Sequence, residues 1–279
     1  MSKTPCQEVP WPRIRELVTD TLTAGHRAHL AHGLVEVDVS RALAGIERYK
    51  SRLPDGVSFT AYIVYCLGQA VGAHTIMHAY RKGRGKLVIF DDVDVSALLE
   101  KRKPDGSLVP VPYIVRGANG KSLAQINHEL RQAVNSDMRD DQGVRRRRRI
   151  MRLPRRARAL LWWWMFRDPA RLKQQWGTVA VSNVGSFMLP RAFWGMASSF
   201  LTCTLTIGGR YERVAWVDGR AEPRVTQSVT VTIDHDVVDG APAARFAQTL
   251  IGLLEDGAGL DDAFAAEAAR LSGLDHATA

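Results

Sequence analysis

The chain has 279 residues, of which 46% are apolar and 24% charged, a composition that excludes disordered, collagen-like and disulfide-scaffolded chains and suits one large domain or two small ones. Lys and Arg number 38 against 29 Asp and Glu, for a net charge of +9. The excess is local: Arg145–Arg158 hold nine arginines and no acid, and without them 29 bases stand against 29 acids.

In chain order, the periodicity predicts a helix over Arg13–Thr23 and an alternating strand over Leu34–Val39 (LVEVDV). Ser40 is expected to cap a helix that runs to Arg52. Ser58 opens a helix whose apolar face includes Ile63, Val64, Leu67 and Val71. Strands are predicted over Leu87–Phe90 and Val93–Ser96, and a Pro-interrupted strand over Leu108–Val115. Ser122 caps a helix to Val134. An Arg- and Trp-rich insertion occupies about residues 140–175. Four strands follow, over Thr178–Ser182, Leu201–Ile207, Arg210–Val217 and Val225–Ile233, with an Asp218-Gly219 turn between the last two. Ala241–Leu254 is the closing helix. Consecutive strands near the C-terminus point to an α/β sandwich with a mixed sheet rather than strict βαβ alternation. One catalytic domain over 1–279, interrupted by the insertion, is expected.

Three cysteines, Cys6, Cys66 and Cys203, make no disulfide framework; the last two lie in apolar runs and are predicted to be buried. The N-terminus has no signal-peptide apolar core, and Ala159–Phe166 falls far short of the roughly 20 residues a membrane span needs. The expectation is a soluble cytoplasmic protein.

Chemistry concentrates in Val229–Gly240 (VTVTIDHDVVDG). A β-branched alternating strand ends on His235, and an Asp-Gly then leads into a helix. An imidazole held rigidly at a strand end is suited to moving a proton near neutral pH. Asp239, four residues on, is placed to fix the loop through side-chain hydrogen bonds. By itself the pattern is also what an ordinary turn histidine would produce.

HDVVDG, preceded by Asp234, resembles the DHRxxDG signature of dihydrolipoyl acyltransferases, the catalytic cores of 2-oxo acid dehydrogenase complexes. The chloramphenicol acetyltransferase family shares the shorter HxxxDG. Gly177–Gly185 (GTVAVSNVG) is similar to that family's GTFTISNLG strand. Ser107–Ile126 (SLVPVPYIVRGANGKSLAQI) is similar to its strand and following helix start, and Ala243–Leu254 to its closing helix. The motifs keep the family's order over roughly Arg13–Asp256, apart from the insertion.

The resemblance implies a chloramphenicol-acetyltransferase-like two-layer α/β sandwich, a mixed β-sheet flanked by helices, with a coenzyme A channel at a subunit interface. It implies acyl transfer between coenzyme A and a dihydrolipoyl-like thiol or another acceptor. His235 would be the general base and Ser182 the oxyanion donor, with Asp239 structural. Asn183 is a second candidate beside Ser182, and Ser186 would take the role in a shifted register. It further implies a homotrimer whose sites pair a histidine from one subunit with a serine from the next. No metal is implied.

The sequence departs from the family in three places. No lipoyl or subunit-binding segment is visible, so a lipoyl-bearing protein would act in trans. Asp236 stands where the family has arginine, and would raise the pKa of His235 if it pointed at the ring. The third is the insertion, including Trp162, Trp163, Trp164, Met165 and Phe166. Arg145–Phe166 could meet an anionic membrane surface or a partner, could bind phosphate, or could be a solvated basic run leading into a packed helix. Nucleic acid fits less well, because the remainder of the chain is neutral. The alternative to an enzyme is an inactive trimeric scaffold docked through this segment.

His26, His29 and His32 recur every third residue without a Cys or acid to complete a metal site, and a polar helix end or loop is expected there. His74 and His78 lack the Glu of HExxH. No phosphate-binding or dinucleotide-binding loop is present.

Overall fold

The structure, a computed structural model, describes residues 6–25, 28–52, 56–102, 106, 108–136, 149–185 and 190–265. Helix α1 is Arg13–Gly25, followed by strand β1 (Leu30–Asp38), helix α2 (Ser40–Arg52) and helix α3 (Phe59–Ala73). A short 3-10 turn, Thr75–His78, leads into the hairpin β2 (Tyr80–Lys82) and β3 (Lys86–Val88). Strands β4 (Val95–Arg102) and β5 (Leu108–Val115) precede helix α4 (Leu123–Asn135). Helices α5 (Arg155–Phe166) and α6 (Pro169–Trp176) form the described part of the insertion. Strands β6 (Val179–Asn183), β7 (Cys203–Val217) and β8 (Arg220–Asp234) and helix α7 (Gly240–Asp256) close the order.

The main sheet runs β1-β8-β7-β6-β4-β5. β6 is parallel to both its neighbours and the other pairs are antiparallel, so the sheet is mixed as expected. Alternation gives the sheet two different faces. Val179, Val181, Cys203, Leu205, Ile207, Val229, Val231 and Ile233 join the core with α2, α3, α4 and α7. The opposite face carries Ser182, Thr204, Thr206, Ser228, Thr230 and Thr232. Residues 190–200 lie over part of that polar face: Thr204 Oγ1 donates to Ser199 Oγ at 2.7 Å, and Trp194 Nε1 donates to the Val35 carbonyl at 3.3 Å.

Two of the expected caps form. Ser58 Oγ accepts from the Ala61 amide, and Ser122 makes a reciprocal capping box with Gln125. The expectation for Ser40 is corrected: its hydroxyl accepts from the Val225 amide across the sheet, and Asp38 Oδ1 accepts from the Ser40 amide instead. The strands expected over Leu201–Ile207 and Arg210–Val217 are one strand, β7. Gly208-Gly209 is a register irregularity against β8 rather than a break. A Cβ built on Gly208 would lie 1.8 Å from the Phe193 carbonyl, so this close approach admits glycine alone.

The insertion rejoins the sheet at a polar joint. The Asp94 side chain is nearly buried; its Oδ2 accepts from Arg116 Nη1 at 2.7 Å and its Oδ1 from the Gly117 amide at 3.0 Å, while Lys173 Nζ lies 3.5 Å away. Arg116 also donates to the carbonyls of Lys173 and Gln174, which satisfies the open end of α6.

Candidate active site

β8 carries its buried alternation to Ile233 and ends at Asp234. The turn is held by Asp234: its Oδ1 accepts from the Asp236 amide at 3.0 Å and its backbone carbonyl from the amides of Val237 and Val238, both at 3.0 Å. Burial, the largest influence, raises the Asp234 carboxyl pKa; the amide bond from Asp236 opposes this. The His235 amide donates to the His29 carbonyl at 2.8 Å, so the backbone of the histidine is fixed from the β1 side. Its imidazole is exposed and makes no hydrogen bond among the described residues. Asp239 is the N-cap residue of α7 by position, but its side chain makes no capping bond. The loop-fixing side chain expected at Asp239 is therefore supplied by Asp234.

Asp236 is engaged away from the imidazole. Its Oδ1 lies 2.9 Å from His29 Nδ1, and its Oδ2 accepts from Arg81 Nη1 at 3.3 Å. Sequence reasoning missed both partners. The triplet of histidines was the available signal, but it was expected at a helix end or loop, whereas His32 lies within β1, its Nδ1 2.9 Å from Thr232 Oγ1. His26 lies outside the described residues. No group of three metal-ligating side chains occurs among the described residues.

Ser182 sits on β6, half-buried on the polar face and directly opposite Thr206 of β7. Its hydroxyl makes no hydrogen bond among the described residues, which leaves it free to donate. Asn183 is already committed, its Oδ1 accepting from the Gly185 amide at 3.1 Å. Ser186 lies outside the described residues. Next to Ser182 are two buried hydroxyls, Thr206 and Thr230, whose oxygens have no hydrogen-bond partner among the described residues.

One chain does not bring Ser182 and His235 together. Ser182 is level with Thr206, and Thr206 with Thr230, five residues short of His235. Two strand spacings across and five residues along make a separation of roughly 20 Å. Nor do the buried thiols offer chemistry: burial pushes both Cys66 and Cys203 up to about 12.

The model of the 2-oxoacid dehydrogenases acyltransferase (catalytic domain) family matches residues 3–142 and 170–260. The chain belongs to this family. Residues 143–169 fall outside the match. The chain is 26% identical over 202 residues to the dihydrolipoyllysine-residue acetyltransferase component of the pyruvate dehydrogenase complex of Mycoplasma pneumoniae, covering 72% of this chain and 42% of that protein. It spans less than half the length of the curated relatives it matches. Among solved structures, a probable dihydrolipoamide acetyltransferase from Listeria monocytogenes superposes with a TM-score of 0.66 at 17% identity, over 91% of this chain and 96% of that one. A chloramphenicol acetyltransferase superposes at 0.50 and 13% identity, over 88% and 96%. The expected chloramphenicol-acetyltransferase-like fold is present.

Proposed function

We propose that this chain transfers an acyl group between coenzyme A and a dihydrolipoyl-type thiol, using His235 and Ser182 drawn from neighbouring subunits of a homotrimer. His235 takes the proton of the attacking thiol, and the thiolate sulfur bonds to the acyl carbonyl carbon. The Ser182 hydroxyl donates to the oxyanion of the tetrahedral intermediate. Collapse breaks the bond to the other sulfur, and the departing thiolate recovers the proton from the His235 imidazolium. Asp239 takes no part in the transfer, and Asp234 holds the turn in its place. The acyl carrier opposite coenzyme A is a lipoyl group.

The observation that carries this reading is the pairing of family motifs with their placement. Both candidate side chains have no competing hydrogen bond, yet they lie roughly 20 Å apart within a chain. They can meet at one carbonyl only across a subunit boundary, which cyclic symmetry would repeat at every interface.

Acetyl transfer from acetyl-CoA to free dihydrolipoamide, followed as thiol release, tests it. His235→Ala should abolish transfer, and Ser182→Ala should lower kcat by about a hundredfold to a thousandfold, the value of one oxyanion donor in related chemistry. Wild-type activity no greater than that of His235→Ala with any short acyl-CoA would leave the inactive-scaffold alternative standing.

A further inference from the structure

A second apolar cluster lies apart from the main core. Leu17 of α1, Ile150, and Trp162 and Met165 of α5 form it, with Leu161, Phe166 and Trp176 packed against it. The inward stripe of α5 is Arg158, Trp162 and Met165. Arg158 Nε donates to Asp20 Oδ2 at 2.7 Å and Arg158 Nη2 to Glu16 Oε2 at 2.8 Å. Arg158, the one buried arginine among the described residues, is thus neutralised, and it locks α5 against α1 in a single rotational setting.

That setting fixes what faces out. At about 100° per residue, Arg156, Leu160, Trp163 and Arg167 share one outward stripe, with Trp164 on its flank and Arg155 on the opposite side of the helix from Trp164. Leu160 is 64% exposed, Trp163 56% and Trp164 47%. The Arg167 guanidinium lies 4.5 Å from the Trp163 ring centre, and that of Arg171 3.6 Å from Trp164. Arg149, Arg152, Arg155 and Arg156 are all exposed. Within residues 149–171, the ion pairs among the described residues belong to Arg158 and Arg171, and those four arginines make none among them.

We propose that this face docks the protein on an anionic phospholipid bilayer. Leu160, Trp163 and Trp164 enter the boundary between headgroups and acyl chains, and Arg156, Arg167 and Arg171 meet lipid phosphates. A nucleic acid would engage the arginines but leave three large apolar side chains in water. A bilayer interface satisfies both halves of the face, and tryptophan, with a ring to bury and an N–H to keep wet, is suited to that depth. The arginines stacked on the two indoles can hold their charge at headgroup level while the rings go deeper. The helix would lie on the membrane: its 12 residues reach about 18 Å, against a hydrocarbon thickness of about 30 Å.

Co-sedimentation of the full chain with vesicles tests the proposal and does not depend on acyl transfer. Equimolar phosphatidylcholine and phosphatidylglycerol should pellet the wild type at low salt, and pure phosphatidylcholine should not. Arg156→Gln with Arg167→Gln should weaken binding about thirtyfold, from roughly one kcal/mol per arginine near the surface. Trp163→Ser with Trp164→Ser should weaken it at least roughly tenfold through the lost apolar burial. Both double variants should keep the wild-type melting temperature, since every replaced side chain is exposed. A wild type that stays in the supernatant with anionic vesicles overturns the proposal. So does binding that follows the arginines and ignores the tryptophans, which would indicate a nucleic acid or an acidic protein.

Discussion

Asp236 shows how the direction of one side chain decides which of two effects an unusual residue has. An acid beside a catalytic base invites a charge effect on the imidazole. Its partners are instead His29 and Arg81, so it ties β1 and the β2–β3 hairpin to the turn that presents His235. The unusual histidine at this scale is another one. His78 is buried, and neither ring nitrogen has a partner among the described residues. Burial pushes its pKa down to about 4, the Lys173 ammonium acts in the same direction and Asp94 opposes. The unfolded chain protonates this ring near pH 6.5, whereas the folded chain keeps it neutral until about 4. Stability is therefore lost as the pH falls through that window, by about 2 kcal/mol from pH 7 to pH 5 for this one group. Urea unfolding of the wild type and His78→Leu at the two pH values checks it: the variant should lose that part of the slope, and equal slopes would refute the assignment.

Among the elements, what could be read from sequence was whatever is decided locally. The Ser58 and Ser122 caps depend on the next three residues, and both form. Ser40 looked the same, but its hydroxyl is claimed by Val225, which is 185 residues away in the chain. Gly208-Gly209 looked like a strand break because nothing local shows the Phe193 carbonyl that needs the space. β4 runs to Arg102, well past the expected Ser96, because adjacent Leu98 and Leu99 disguise an alternation whose buried members are Val95, Ala97, Leu99 and Lys101. Ser182 and His235 were legible through motif order; their separation was not, since it depends on sheet order. In α5 the decisive residue is Arg158. Arg158→Ala removes hydrogen bonds to two carboxylates, of which Glu16 is partly exposed, and should destabilise the fold by about 2 kcal/mol. Denaturant unfolding reads this directly, and a change below about 0.5 kcal/mol would mean that α5 is held by Trp162 and Met165 alone.

Over the whole molecule, the charge excess and the family motifs lie in different places. The charge excess belongs to the insertion, which the family match skips, while the motifs for acyl transfer lie in the formally neutral remainder. The proposed intersubunit site makes a demanding prediction at this scale. His235→Ala and Ser182→Ala chains, each inactive or nearly so alone, should recover activity when unfolded and refolded together. Random assembly gives about a quarter of the sites an intact histidine and an intact serine. No recovery in demonstrably mixed oligomers would place both residues' roles within one chain, and the geometry above forbids that.

The joint at Asp94 has a mechanical meaning. Arg116 grips the last carbonyls of α6 and the Asp94 carboxylate together, and the Thr178 amide donates to the Asp94 carbonyl immediately before β6 begins. The joint thus ties the end of α6 to the start of β4, the strand that pairs with β6 over Val179–Val181, so the segment before α6 is anchored to two strands of the sheet before the chain reaches Ser182. The joint acts as a strain relief, like the clamp where a cable enters a housing. A chain built this way can carry a long and chemically alien segment just upstream of a strand that must be placed to a fraction of an ångström.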